Sequence, residues 1–428
     1  QGYHELLDFA WRYFERPLQM EKTPEQLVKL DTLYFRQLWR KNFDGVTGFA
    51  SGMHWDDAKA AFVQSGTFEI GWVGQNASVA CGLLREYIKT GDADLRDKAL
   101  SVLDSWVRYA ALPNGLMLVK LQADPAHLDS IINGDIPVDL DACNLGTAAT
   151  YFFLPVDVLA VIEHLAVDLH AHILEVTAHA VAQVRLVLAE AGGERDDINA
   201  AHGSVGAFMI LPLLDAHTLT GEQKYADCAL RAFAFYYGEF AKNGFTTAGA
   251  LDSYCIDKES AAPLLRAALE CYHLTRDRAY VDAAEEVAYY LATWQWHYSV
   301  CFPEDSMAKK IGYDTYGGTS VSAAHNAQDP YGLYYVPEYL ELAQLTGKDI
   351  WLKRARALWY NGIQLISDGT LVIHNRVRPA GSQDESVRHT RWGRPDKRIF
   401  VSSEWLVNWP GTFRQVALDR IESWDALR

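Results

Sequence analysis

The 428-residue chain carries 39 Lys and Arg against 55 Asp and Glu, a formal net charge of −16. That sign argues against general binding to phosphate backbones, and no apolar run reaches the roughly 18 residues of a membrane span, so neither nucleic acid nor membrane is an expected partner. A hydrophobic fraction of 49% supports a large core, and 13 Trp, 22 Tyr and 17 Phe would also suit a carbohydrate-binding cleft.

Residues 1–23 are read as an N-terminal extension helix, and residues 24–42 as the first helix of the main body. The chain starts at Gln1, not Met, which leaves room for a removed upstream segment. Cys81, Cys143, Cys228, Cys255, Cys271 and Cys301 form no CxxC pair. Three of them, Cys81, Cys228 and Cys271, sit among Ala and Leu in helical patterns. They read as small core residues in a reducing compartment, so a cytoplasmic location is expected.

A local pattern then recurs four times. It reads Tyr87-Ile-Lys-Thr-Gly91, Leu219-Thr-Gly-Glu-Gln-Lys-Tyr225, Leu274-Thr-Arg-Asp-Arg-Ala-Tyr280 and Leu345-Thr-Gly-Lys-Asp-Ile-Trp351. In each, Thr-Gly or Thr-Arg closes one helix, and an acidic residue helps to open the next. The junctions at 91, 221, 276 and 347 are separated by 130, 55 and 71 residues, and the long interval has room for one more unit. Five helical hairpins follow, at about 69–112, 143–191, 204–242, 257–296 and 329–366.

A sixth pair comes from the chain ends, residues 24–42 and about 403–417. First helices such as Ser204–Leu214 are apolar all round, while second helices carry a charged stripe. The former should be enclosed by protein and the latter should face water. The expectation is an all-α, single-domain (α/α)6 toroid over residues 1–428, closed by its ends, with little strand beyond Leu116–Leu121 and Thr370–Val377.

The connections leading into the first helices are long, which favours a site on that face. Trp72, Gln75 and Asn76 open one such helix; capping and core packing compete with substrate binding as their role. Asp135, Asp139, Asp141 and Asn144 lack the spacing and Gly of a calcium loop and read as solvated acids, so no metal is expected. His202 reads as a helix cap or a polar contact for substrate.

The segment Asp252-Ser-Tyr254-Cys-Ile-Asp257-Lys-Glu259 is the most informative. Asp257 suits an N-cap, whereas Asp252 and Glu259 supply the two carboxylates that glycosidic cleavage needs. Asp329-Pro330 suits a cap followed by Pro at the helix start. Asp314 lies between Tyr313 and Tyr316 in a Gly-rich loop and is a substitute carboxylate. Residues 376–398 form a basic island of net +4 that contains Arg391 and Trp392. Its arginines could grip a uronate carboxylate or simply pair with the acidic surface.

This arrangement of hairpins resembles the six-hairpin glycosidase superfamily from about residue 24 to the C-terminus. The resemblance implies a carbohydrate-active enzyme that needs no cofactor and acts on an oligosaccharide or polysaccharide; a homo-oligomer is compatible with it. The leading expectation is a glycoside hydrolase, with a uronic-acid-containing oligosaccharide as a fitting substrate. Asp252 and Glu259 are then the acid and base, with Asp314 in reserve. Trp72, Tyr254, Tyr316 and Trp392 offer stacking faces, and Gln75, Asn76, His202 and Arg391 offer polar contacts. A polysaccharide lyase is the alternative, with Tyr254, Tyr316 or His202 removing the C5 proton and Arg391 or Asn76 neutralising the carboxylate. A noncatalytic glycan-binding protein on the same scaffold is the third reading.

Overall fold

The computed structural model describes residues 2–42, 44–110, 117–122, 142–153, 203–247, 255–390, 400–421 and 423–427. Its helices are α1 (Gly2–Phe14), α2 (Pro24–Leu38), α3 (Asn76–Thr90), α4 (Ala93–Ala110), α5 (Ala142–Phe153), α6 (Ile210–Thr220), α7 (Gln223–Asn243), α8 (Ala261–Thr275), α9 (Ala279–Trp294), α10 (Val336–Thr346), α11 (Asp349–Gly362) and α12 (Trp409–Arg420), besides a single turn at Met307–Lys310. The chain separates into two compact units. The first comprises 1–31, 236–406 and 413–428, and the second 32–235 and 407–412. No helix among the described residues is long and apolar enough to cross a membrane.

The repeated Thr-Gly junctions form as the sequence predicts, and the threonine has a part of its own. Gly91, Gly221 and Gly347 adopt the left-handed conformation with φ of 72°, 69° and 69°, and Arg276 takes the same place with φ 62°. The amide of each donates to the carbonyl four residues back: Gly91 to Tyr87, Gly221 to His217, Arg276 to Tyr272 and Gly347 to Ala343. The preceding Thr hydroxyl donates to another terminal carbonyl, as Thr90 does to Glu86 at 2.7 Å and Thr275 to Cys271 at 2.8 Å. The same oxygen accepts the amide two residues ahead, Asp92 and Asp277 respectively. One side chain therefore satisfies an orphan carbonyl of the finished helix and fixes the turn.

The first helices are buried as expected. Every residue of Ala261–Leu269 in α8 is buried, and α10 is buried from Val336 to Leu340. Their partners α9 and α11 alternate buried and open positions, with Val281, Val287 and Leu291 inward and Asp282 outward. The second helix drawn within 143–191 and the acids Asp135, Asp139 and Asp141 lie outside the described residues.

Several boundaries differ from the sequence expectation: the N-terminal helix read over 1–23 stops at Phe14, and the helix read over 24–42 stops at Leu38, with Trp39–Lys41 a strand. Residues 403–408 are not helical; Trp405–Val407 is a strand, and α12 starts only at Trp409, with Pro410 next. A Leu-Val pair between aromatic residues fits an extended segment, and Pro is accommodated in a first helical turn. Short 3₁₀ turns, Val205–Met209 and Tyr331–Tyr335, also lead into α6 and α10.

Short strands fill the connections. Val372–Ile373 and Arg376–Val377 pair as the predicted hairpin, and Lys120–Gln122 pairs with Thr67–Glu69. Unforeseen are the hairpin Gly52–Asp56 with Ala61–Gln64 and a four-stranded sheet in the first unit. That sheet runs in the order 401–402, 387–388, 327–329, 319–320 with antiparallel neighbours.

Candidate active site

In the first unit the site is assembled on the approach to α8 and on the four-stranded sheet. Asp257 and Ile256 pair with Thr246 and Thr247, and the Asp257 carbonyl accepts hydroxyls from Thr246 at 2.7 Å and Tyr290 at 2.5 Å. Its carboxylate receives the Ser260 amide at 3.5 Å, but the cap residue of α8 is Ser260, so Asp257 stands three places before the position expected of it. Lys258 is fully buried and its ammonium lies 2.8 Å from Asp329 Oδ2. The other Asp329 oxygen accepts the Thr319 hydroxyl at 2.6 Å and the Tyr331 amide at 3.2 Å, so Asp329 does cap the turn that enters α10. The ammonium also sits 4.8 Å from the Tyr331 ring centre, and the Tyr331 hydroxyl donates to the Glu259 carbonyl at 3.3 Å. Glu259, itself 7% exposed, is thus held at the head of α8 by a buried ion pair and an aromatic ring.

Two histidines stand on the adjoining connections. Ser322 bridges to Asp257, and its hydroxyl lies 2.6 Å from His325 Nδ1. That oxygen already accepts the amides of Ala324 and His325, both at 3.2 Å, and faces the Cys255 thiol at 3.2 Å. The Ser322 hydroxyl therefore fixes the orientation of the His325 ring through Nδ1.

The His389 amide donates to the carbonyl of the next residue, Asn326, at 2.9 Å. The His389 ring lies 5.3 Å from that of Trp296, whose indole nitrogen is fixed by Ser320. Burial lowers its pKa, and a hydrogen bond to the Ala327 backbone opposes this only partly. Among the described residues Nε2 has no hydrogen-bond partner and is itself buried, so the Ala327 bond belongs to Nδ1 and Nε2 carries the lone pair. Ser322 thus orients the ring of His325, and His389 is a buried imidazole with a lowered pKa.

Asp314 and Tyr316 are engaged elsewhere in this unit. The Asp314 carboxylate is paired with Arg16 and accepts the Tyr360 hydroxyl at 3.0 Å and the Tyr316 amide at 3.0 Å. Its backbone is clamped by Asn361 and Gln364. Tyr316, expected as a stacking face, is 2% exposed; its ring lies under the Arg16 guanidinium at 5.0 Å and beside Trp11. Burial pushes its hydroxyl up to about 12. These residues anchor the segment after α1. Asp252, Tyr254, His202, Arg391 and Trp392 lie outside the described residues.

In the second unit Trp72, Gln75 and Asn76 are brought together by a tight turn before α3. Trp72 and Gln75 take left-handed backbone angles, φ 36° and 45°, which non-glycine residues rarely adopt. Asn76 is fully buried and spent on the fold. Its amide nitrogen donates to Phe49, Glu69 and Gly74 carbonyls at 2.8, 2.9 and 3.1 Å, and its oxygen accepts the Phe49 amide. Gln75 donates to the Trp72 carbonyl at 2.5 Å, and its side-chain oxygen has no partner. Trp72 is half-buried, with the Lys120 ammonium 5.9 Å from its ring centre. Of this trio, Trp72 retains the partly open ring that sugar stacking requires.

Sequence reasoning gave no role to His325 or His389. The signal lay in the spacing of short extended runs, Ala327–Asp329 and Val387–Arg388, each with a histidine one or two residues from its end. Only their pairing places the two histidines on adjoining connections.

No known family profile matches the chain, and no curated protein sequence matches it. Solved structures do. A D-mannose isomerase superposes with a TM-score of 0.60 at 11% identity, covering 95% of this chain and 99% of that one. A polysaccharide lyase gives 0.55 at 12% identity over 94% of this chain and 53% of its own. An unsaturated glucuronyl hydrolase from Streptococcus agalactiae gives 0.51 at 15% identity over 96% and 94%. The fold is therefore one that carbohydrate-active enzymes use, and these three perform different reactions on it.

Proposed function

We propose that the protein is a carbohydrate-active enzyme that moves a proton at a sugar carbon, with His389 as the base and His325 as the acid. The class covers isomerisation or epimerisation of a sugar and β-elimination from a uronate; all begin by removing a proton made acidic by a neighbouring carbonyl or carboxyl group. The observation that carries the reading is the His389 ring: neutral because it is buried, with Nε2 unpartnered. A base must hold a lone pair at working pH and must not already have spent it. His325 is given the role of acid because Ser322 holds its ring in place through Nδ1. Trp296 beside His389 offers a ring face for sugar. The closed six-hairpin toroid belongs to this same reading and is supported by the solved structures that share the fold.

A hydrolase remains the second reading, favoured by the placement of Glu259 at the head of the buried helix α8. Asp252 would be its partner carboxylate, with Arg391 and Trp392 contacting a uronate. Digestion of a panel of sugars and uronate-containing glycans separates the classes by product. Isomerisation leaves the mass unchanged, elimination adds ultraviolet absorbance, and hydrolysis adds one water per cleavage without absorbance. His389→Asn should abolish the first two products. A hydrolytic product formed at the wild-type rate by that variant would overturn the proposal in favour of Glu259.

A further inference from the structure

Helix α1 has two faces with different fates. One is anchored to the first unit: Trp11 is fully buried, with the Arg354 guanidinium 4.5 Å from its ring centre. Asp8 accepts the Tyr289 hydroxyl at 3.0 Å, and His4 stacks on Tyr289 at 3.8 Å. The other face is apolar and open to water. Leu6, Phe9 and Tyr13 are 65%, 67% and 74% exposed, and Tyr3 is 45% exposed. Leu6, Phe9 and Tyr13 follow one another at intervals of three and four, the spacing of a helix–helix seam.

Glu5 and Arg12 flank that seam. They are seven residues apart and so occupy the same edge, one before and one after Phe9. Both are exposed, and neither forms an ion pair among the described residues, although Arg12 lies near enough to Asp349 of α11 to help lower its pKa. When two identical helices meet antiparallel about a twofold axis near Phe9, like edges face each other in reverse order. Glu5 of each copy then meets Arg12 of the other, giving two equivalent ion pairs. A parallel pairing would set Glu5 opposite Ala10 and leave both charges unmatched. The charge pattern therefore selects both the occupant and its direction.

We propose that the exposed face of α1 is the contact of a symmetric homodimer, formed by antiparallel packing of α1 on α1 of a second copy. A 13-residue helix offers a contact below the roughly 800 Å² per partner of a standard interface. The dimer is accordingly a weak, concentration-dependent one, and its ion pairs weaken with salt.

Sedimentation velocity of the full chain over a range of concentrations tests this. The wild type should shift from monomer to dimer, and Phe9→Glu should remain monomeric. Glu5→Arg and Arg12→Glu should each weaken association by about tenfold, because each puts two like-charged pairs across the seam. Combining the two reversals should restore it. That restoration is expected only where Glu5 meets Arg12 of another copy. A wild type that stays monomeric throughout, including one that instead co-sediments with lipid vesicles, would overturn the proposal. So would a double reversal no better than the single ones. These positions face away from the packed side of α1, and circular dichroism of each variant checks that the helices persist.

Discussion

Replacing Lys258 with Met tests whether the head of α8 is held by the buried ion pair. The ammonium is fully enclosed, and Asp329 is 3% exposed. Met fills nearly the same volume, so the cavity cost is small. What remains is a carboxylate with hydrogen bonds from Thr319 and the Tyr331 amide but no countercharge. Breaking a buried pair by removing one partner costs about 3–5 kcal/mol. The lost attraction to the Tyr331 ring adds about 1–2 kcal/mol at most, so the stranded charge dominates. Urea unfolding followed by circular dichroism should show a lower midpoint with little change in slope. Lys258→Met combined with Asp329→Asn should recover most of the loss, because no buried charge is left alone. A single variant within about 1 kcal/mol of wild type, or a double variant as unstable as the sum of the singles, would refute the reasoning.

Other consequences concern the titrating groups and the site. His389→Asn should lower kcat by about 10²–10⁴-fold with a much smaller change in KM, measured on whichever sugar is turned over. Since burial lowers the His389 pKa, the base persists into mildly acidic solution, and the acid limb of the wild-type kcat/KM profile, which reports the free enzyme, should fall below 6.5; a limb well above that value would remove His389 from the role. Glu259→Gln should reduce turnover severely only if the hydrolase reading holds, whereas under proton transfer by His389 it should retain most of it. Asp384 is buried against Arg378, and desolvation raises its pKa from 3.8 to about 6. Its folded form favours the proton, so this contribution to stability is complete below about pH 4 and is lost as pH rises through 6. Asp384→Asn should remove up to about 3 kcal/mol of that pH dependence, read as a flatter profile of unfolding free energy between pH 4 and 7.

The hairpin repeat was legible because its signals are local. A left-handed cap after Thr is written in two adjacent residues, and Gly91, Gly221 and Gly347 all obey it. Arg276 was found only by analogy with the others, since its positive φ is not encoded by residue type. All-round apolarity likewise identified Ser204–Leu214 as enclosed, and its residues from Gly206 to Leu214 are all buried. The short strands were harder. Runs of two or three residues carry no periodicity, and their pairing joins positions such as Ala327 and Arg388 across 61 residues.

The same distance effect governs the site. Asp329 was read correctly as a cap, because capping is a short-range relation. Asp314 looked unexplained in sequence because its partner Arg16 is 298 residues away. Asn76 was offered to substrate, yet its four hydrogen bonds tie together three separate backbone stretches. His389 was missed for the converse reason: its neutrality and bare nitrogen arise from burial and from the Ala327 backbone, neither of which residue order reveals.

The most direct measurement is turnover in D2O with the product analysed by NMR. Proton transfer by His389 predicts solvent deuterium bound to a sugar carbon when the product is an isomer or epimer, or loss of the C5 hydrogen to a new C4–C5 double bond when it is an elimination product, in either case at a rate that falls with kcat in His389→Asn. Product that carries no carbon-bound deuterium and has gained one water per bond broken would contradict it.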